Sequence, residues 1–175
     1  MPETLLVRPA SVADAPALLA IYRPYVLETA VSFETVPPTV EEFAARIAKV
    51  LPVWQWLVAE RAGQCIGYAY GSRHRERPAY RWSVEVSAYV EPGHQRQGIG
   101  RLLYQRLFAA LADKGFCNAY AGIALPNAAS LALHQAVGFH PIGVFPAVGR
   151  KFGRWHDVAW FHRTLREGPP MEEPA

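Results

Sequence analysis

The chain is 175 residues long, 51% hydrophobic and 19% charged, the proportions of a folded domain with room for one sizeable core and not of a disordered chain. Its formal net charge of only +3 lacks the dense basic face that steers nucleic acid, and no apolar run approaches the ~18 residues of a membrane-spanning helix. The two cysteines, Cys65 and Cys117, lie in apolar contexts without CxxC spacing, which points to reduced structural thiols and a cytoplasmic chain rather than a disulfide. The start, Met-Pro-Glu-Thr, has no basic region ahead of an apolar run, so no secretory signal is expected.

In chain order, Leu5-Leu6-Val7-Arg8 reads as a first strand. Ser11 with Asp14 resembles a capping box with Asp in place of Glu, opening a helix with Leu18, Leu19, Ile21, Tyr22 and Val26 at helical spacing. Phe33 lies in a polar loop before Pro37-Pro38, and Thr39 with Glu42 caps a second helix through Phe43, Ile47 and Val50. Segments 54–60 and 64–70 read as a hairpin around Ala62-Gly63. Residues 72–79 form a basic loop, and 80–90 a long strand. A glycine-bearing turn follows, then a helix over 101–114 closed by Gly115. Residues 118–124 predict a further strand, 130–137 a helix ending at Gly138, and 139–145 and 157–165 two strands around a loop at 149–153. With no repeat or linker, one α/β domain with a mixed sheet is expected over residues 1–166, followed by a disordered tail over 167–175.

The strand–turn–helix unit carries the strongest chemical signal. A helix N-terminus has unpaired N–H groups and a partial positive charge, so it can hold an anion. Gly98 and Gly100 have no Cβ, which lets a phosphate approach the backbone. The segment is neither a Rossmann fingerprint nor a Walker motif, because Gly100 is followed by Arg101-Leu102. It does satisfy Gln/Arg-x-x-Gly-x-Gly/Ala as Gln95-x-x-Gly98-x-Gly100. Read alone, such glycines are either an anion cradle or an ordinary strand-to-helix turn.

Downstream, Asn127, Ser130, His134, Gly138 and Phe139 give N-x2-S-x3-H-x3-G-F. With this second motif, the chain from about Leu5 to Leu165 resembles the GCN5-related N-acetyltransferases (GNAT superfamily). It is closer still to the phosphinothricin and methionine sulfoximine acetyltransferases. That closer match rests on Ser32-Phe33-Glu34, Ala79-Tyr80-x-Trp82-x-Val84-Glu85, Tyr89-Val90, His94-Gln95-Arg96, Pro126-Asn127, Leu133-His134 and Gly153-x-Trp155-His156-Asp157.

The resemblance implies a mixed, mostly antiparallel central sheet flanked by helices, with a splayed strand at the cofactor site. It implies acetyl-CoA as co-substrate and a homodimer, for which the aromatic-rich C-terminal strands offer an interface; the six histidines show no ligand spacing with Cys or acidic residues, so no metal is expected. Gln95, Arg96, Gln97, Gly98, Ile99, Gly100 and Arg101 would cradle the pyrophosphate, and the splayed Ala88, Tyr89 and Val90 would offer backbone N–H groups. Asn127 and Ser130 would face the pantetheine arm.

Acetyl transfer to an amine needs an uncharged nitrogen, hence a base. A carboxylate inside an apolar strand is a candidate, because burial raises the pKa of a carboxyl group. Glu85 is that carboxylate, and the resemblance carries the base role to it; the residues alone also allow an ion pair with Arg81 or another arginine. His134 stands where many superfamily members carry a tyrosine proposed as the acid to the leaving thiolate. Arginine binds carboxylate or phosphinate through two parallel donors. Arg75 and Arg77 match positions that hold the acid end of the substrate, and Val86 and Ser87 lie beside Glu85 in the same substrate-facing strand. Alternation puts Glu85, Ser87 and Tyr89 on one face unless a bulge intervenes. Phe33 would be an apolar wall for the methyl-bearing head, or simply core, and Val158 would line the same pocket.

The expected activity is acetyl transfer from acetyl-CoA to the amine of phosphinothricin, methionine sulfoximine or methionine sulfone. A protein or peptide N-terminal acetyltransferase and a non-catalytic coenzyme A-binding module are the alternatives. Neither nucleic acid nor membrane is an expected partner.

Overall fold

The alternating and β-branched segments pair into one seven-stranded sheet. Its strands are β1 (Leu5–Pro9), β2 (Trp56–Arg61), β3 (Gln64–Arg73), β4 (Ser83–Val90), β5 (Asn118–Ala124), β6 (His140–Lys151) and β7 (Arg154–Thr164). The helices are α1 (Ala15–Glu28), α2 (Val40–Val50), α3 (Ile99–Asp113) and α4 (Ala128–Ala136). The structure, a computed structural model, describes residues 4–168; positions 169–175 of the expected tail lie outside the described residues. The spatial order is β1-β2-β3-β4-β5-β7-β6. Every neighbouring pair is antiparallel except β4–β5, the mixed sheet that was expected.

The alternation of β3 decides which helices cover which face. Tyr68 and Tyr70 stack with Trp56 of β2 on one face. There Tyr22 of α1 meets Tyr89 edge-on at 5.1 Å, and Phe43 of α2 meets Trp56 at 5.7 Å. The opposite face is small at Gly67 and Gly71, and Ile99 and Leu111 of α3 close on it. Trp56, Tyr68, Leu103 and Leu107 are among the largest fully buried side chains; each buried aliphatic or aromatic residue of this kind stabilises the fold by about 1.5–3 kcal/mol. Both cysteines are free.

The helix starts follow the capping signals. Glu42 N–H donates to Thr39 Oγ1 at 3.2 Å and Thr39 N–H to Glu42 Oε2 at 2.8 Å, a reciprocal cap for α2. Ser11 N–H donates to Asp14 Oδ2 at 2.7 Å. Arg8 grips both oxygens of Asp14 at 2.9 and 2.8 Å and holds that carboxyl below its ordinary range. This box opens a 3-10 turn, Val12–Asp14, that runs into α1.

Several boundaries differ from expectation. The long strand begins at Ser83, because Pro78–Tyr80 forms a 3-10 turn that the fixed φ of proline favours. β3 runs on to Arg73 into the basic loop. α3 starts two residues early at Ile99, and α4 starts at Ala128 because Asn127 is its N-cap. The largest difference is at the C-terminal hairpin. The expected loop at 149–153 is a tight turn at Phe152-Gly153, both at positive φ (50° and 74°), between strands of 12 and 11 residues. Prolines 141 and 146 argue against strand by composition, yet β6 is an edge strand and absorbs them at two register shifts.

One feature of the sheet positions the site. β4 pairs with β5 only from Ser83↔Asn118 to Glu85↔Tyr120, while β5 continues to Ala124 against β7. Beyond Glu85, β4 and β5 part, which is the splay expected at a cofactor cleft.

Candidate active site

The cradle is built by glycines of two kinds. Gly98, the N-cap of α3, has φ 79° and ψ 0°, a left-handed conformation that costs other residues energy. Gly100 is needed for space: a Cβ there would lie 3.0 Å from Leu133 Cδ2, so its smallness lets α4 pack against α3 rather than admitting a phosphate. The first backbone bond of α3 is Leu102 N–H to Gly98 O at 3.0 Å. Among the described residues, the N–H groups of Ile99, Gly100 and Arg101 have no backbone acceptor, which leaves a row of donors at the helix start for an anion. Side chains brace the turn: Gln95 Nε2 donates to Tyr25 Oη at 3.1 Å, and Arg61 to Gln97 Oε1 at 2.8 Å. Ile99 is buried and offers only its backbone, whereas Arg96 and Arg101 are exposed.

The splayed strand offers two further donors. Glu91 N–H donates to Ile66 O at 2.9 Å across the β3–β4 ladder. Donors to one antiparallel neighbour recur every second residue, so the Tyr89 N–H also turns to β3. The N–H groups of Ala88 and Val90 therefore point into the cleft opened by the parting of β5. Tyr25 Oη donates to Val90 O at 2.5 Å, tying the strand end to the cradle through Gln95. At the far side, Asn127 Oδ1 accepts Ser130 N–H at 3.1 Å, and its Nδ2 has no partner among the described residues.

The β3–β4 register runs without a shift from Gly67↔Val90 to Arg73↔Val84. No bulge intervenes, and Glu85, Ser87 and Tyr89 share one face. Val86 does not join them: it is 4% exposed, in the core on the opposite face, so only its backbone can reach a substrate. Tyr70 lies across from Ser87, and burial pushes the Tyr70 hydroxyl up.

Glu85 departs from the expected apolar burial: its side chain is 32% exposed. Oε1 takes His74 Nδ1 at 3.0 Å and Arg75 Nη1 at 3.1 Å, while Oε2 has no partner among the described residues. The arginine of the ion pair is Arg75, not Arg81. His74 is itself held flat against Tyr120, the cross-strand partner of Glu85, at 4.7 Å and 16°. Arg77 shares a cleft of about 350 Å³ with Arg75, Arg73 and Tyr80. On the face that carries Glu85, a second cavity of about 390 Å³ opens beside Tyr70 and Ser72, the cross-strand neighbours of Ser87 and Glu85.

His134 does not present a proton to the cleft. It is 5% exposed. Its Nδ1 donates to Ser130 O at 2.7 Å, so Nε2 accepts from Tyr104 Oη at 3.0 Å. Phe139 and Tyr104 pack edge-on against the ring. Burial holds its pKa below the ordinary value. With the single proton of the neutral ring already donated, the acid role expected of His134 gives way to anchoring α4 on α3.

Phe33 covers Gly149 of β6, where any Cβ would collide with the Phe33 ring. Its ring centroid is 6.1 Å from that of His156. Val158 is two residues further on β7, on the same face, opposite Ala124. The flanking residues are anchors. Ser32 Oγ is 2.6 Å from Tyr22 Oη, which also donates to Glu34 Oε2 at 2.5 Å, and Arg46 grips both oxygens of Glu34.

Comparison with known proteins decides what this geometry belongs to. The family model of the acetyltransferase (GNAT) domain matches residues 7–160. The phosphinothricin N-acetyltransferase of Streptomyces coelicolor is 41% identical, with 94% of this chain and 100% of that protein aligned. The chain belongs to the GNAT acetyltransferase family. The L-methionine sulfoximine/L-methionine sulfone acetyltransferase of Salmonella typhimurium is 37% identical over 93% of this chain and 96% of its own. A crystal structure of a GNAT-superfamily phosphinothricin acetyltransferase from Sinorhizobium meliloti, solved with acetyl-CoA, superposes with a TM-score of 0.90 at 38% identity, covering 100% of this chain and 94% of that one.

The chain is thus an acetyl-CoA-dependent acetyltransferase of the phosphinothricin and methionine sulfoximine acetyltransferase type. The residues present fit acetyl-CoA: free N–H donors at α3 suit the pyrophosphate, and the Ala88 and Val90 donors in the cleft suit an acyl oxygen. No cluster of metal-ligating side chains occurs among the described residues, nor is any described helix long and apolar enough to cross a membrane. His74, Tyr70 and Tyr120 escaped the sequence reading. Tyr120 became visible only through the parallel β4–β5 register. His74, between Arg73 and Arg75 in a basic loop, carries no local signal of its contact with Glu85.

Proposed function

We propose that this GNAT enzyme N-acetylates a small amino acid analogue with a tetrahedral head, with Glu85 as the base. The carrying observation is the asymmetry of Glu85: Oε1 is held by His74 and Arg75, and Oε2 has no partner among the described residues. A held carboxylate with one open oxygen is pre-positioned to take a proton from the acceptor ammonium. Acetyl-CoA supplies a thioester whose acyl carbon bonds to the acceptor nitrogen as the C–S bond breaks and thiol is released. The Ala88 and Val90 N–H groups stabilise charge growing on the acyl oxygen. Arg75 and Arg77 hold the acid end of the acceptor, and Phe33 and Val158 wall its head.

Relatives named for phosphinothricin and for methionine sulfoximine and sulfone support the acceptor class. The Ser32-Phe33-Glu34 version leans toward the two methionine analogues. A higher kcat/KM for phosphinothricin than for both would overturn that lean. The test of the whole reading is acetyl-CoA turnover over a panel of amino acid analogues, read as free thiol, with Glu85→Gln as control. We further infer a cytoplasmic homodimer. Its support is the apolar edge strand β6, where Ile142, Val144 and Val148 are each more than half exposed, together with Trp155 at 63%.

A further inference from the structure

We propose that Lys151 is a positioning residue of the acceptor site, locking the Phe33 wall onto the β6–β7 hairpin. This rests on the acceptor reading above. Lys151 is 5% exposed at the end of β6, an unusual place for an ammonium group, which is almost never buried without partners. Among the described residues it has no carboxylate at ion-pair distance. Its Nζ donates instead to two main-chain carbonyls, Val26 O and Ser32 O, each at 2.7 Å. These flank the link between α1 and the Ser32-Phe33-Glu34 loop, some 120 positions away in sequence. A charged donor to each carbonyl forms a stronger bond than a neutral one. The two bonds fix where the loop leaves the helix.

The rest of the hairpin serves the same end. His156 Nε2 lies 3.2 Å from Lys151 O and braces the strand from the partner side. Ala147, at φ 48°, donates its N–H to Asp157 Oδ1 at 2.7 Å. That bond holds the β6 irregularity between Phe145 and Gly149, the bend that brings bare Gly149 under the Phe33 ring. The sequence Lys151…His156-Asp157 therefore acts on the acceptor through Phe33. Tyr22 and Arg46 hold Ser32 and Glu34 from the helix side, so Phe33 is gripped from both directions.

The test uses the full chain with L-methionine sulfone as acceptor. Lys151→Met is expected to raise the acceptor KM about tenfold or more while the acetyl-CoA KM stays within about twofold. In a Phe33→Ala background the same change is expected to add less than about twofold, because the two act as one unit. Independent multiplication of the two effects, or an equal rise in the acetyl-CoA KM, overturns the proposal. Gly149→Ala keeps Lys151 and displaces the Phe33 ring, so it is expected to reproduce the acceptor-KM rise; an unchanged KM also overturns the proposal. Amide hydrogen exchange of residues 27–35 reads the clamp without turnover. Faster exchange in Lys151→Met supports it and unchanged exchange defeats it. Faster exchange in that variant, with no turnover of any analogue by the wild type, removes the acceptor reading and leaves the clamp.

Discussion

Glu85 Oε1 lies 3.1 Å from Arg75 Nη1, and the second oxygen of the same carboxylate has no partner among the described residues. The pair thus joins the candidate base to a candidate acceptor-binding group. Glu85→Gln keeps the shape and removes the basic oxygen, so kcat is expected to fall by about 10²–10⁴ with the acetyl-CoA KM unchanged. Arg75→Ala is expected to raise the acceptor KM roughly 10–100-fold, the worth of a hydrogen bond to a charged group. Steady-state kinetics with both substrates varied separates the two. A kcat within twofold of wild type for Glu85→Gln, on every active acceptor, defeats the base assignment.

Gly98 and Gly100 fail in different ways when given a Cβ. Gly98→Ala strains a left-handed residue by about 1–2 kcal/mol, with open space around the new methyl. Gly100→Ala overpacks against Leu133, at about 1–3 kcal/mol. Both should lower the urea midpoint. Because Leu133 belongs to the helix that Asn127 caps, Gly100→Ala is also expected to raise the acetyl-CoA KM. Calorimetric binding of acetyl-CoA measures this directly.

His134 makes stability depend on pH in a defined direction. Burial lowers its pKa from the ordinary 6.5, so below that value the unfolded chain binds a proton that the folded chain refuses. Stability is therefore full above pH 6.5 and falls as pH drops from there toward the folded pKa. His162 is shifted the same way and adds to the slope. The depressed carboxyls of Asp14 and Glu34 act only at lower pH, below their ordinary 3.8 and 4.5. Urea midpoints between about pH 7.5 and 5.5 should fall in the wild type and fall less steeply in His134→Gln. A parallel decline in both proteins contradicts the neutral buried ring.

The apolar stripe on β6 offers an oligomeric test. Val144, 52% exposed on the edge strand, is expected to be covered in a homodimer. Val144→Glu places a charge in that contact, and sedimentation velocity should show a dimer for the wild type and a monomer for the variant. A monomeric wild type at micromolar concentration removes the dimer.

Much of the donor side was legible because its signals are local. The spacing of Gln95, Gly98 and Gly100 after a β-branched strand specifies a turn and a helix start, and Thr39 with Glu42 specifies another. The motif from Asn127 to Phe139 adds the capped helix beside the cradle. Such features depend on φ preferences, capping chemistry and periodicity within a few residues. At the C-terminal hairpin both strands are legible but not how far they run toward the turn, for the complementary reason. Pro146 and Gly149 oppose strand locally, and only their place at the sheet edge makes them tolerable.

By itself the sequence determined a mixed α/β domain with a glycine-bearing helix start, the acetyl-CoA-dependent family, and Glu85 as a carboxylate within an apolar strand. Tertiary structure alone decided that Arg75 and His74 hold that carboxylate and that Val86 faces away. It also decided that His134 is spent on Tyr104 and Ser130, and that Lys151 reaches back to Ser32. Each of these depends on strand register, on exclusion of water by several elements at once, or on contacts between residues far apart in the chain. Local propensity carries no record of such contacts, because their energy exists only once distant segments have packed.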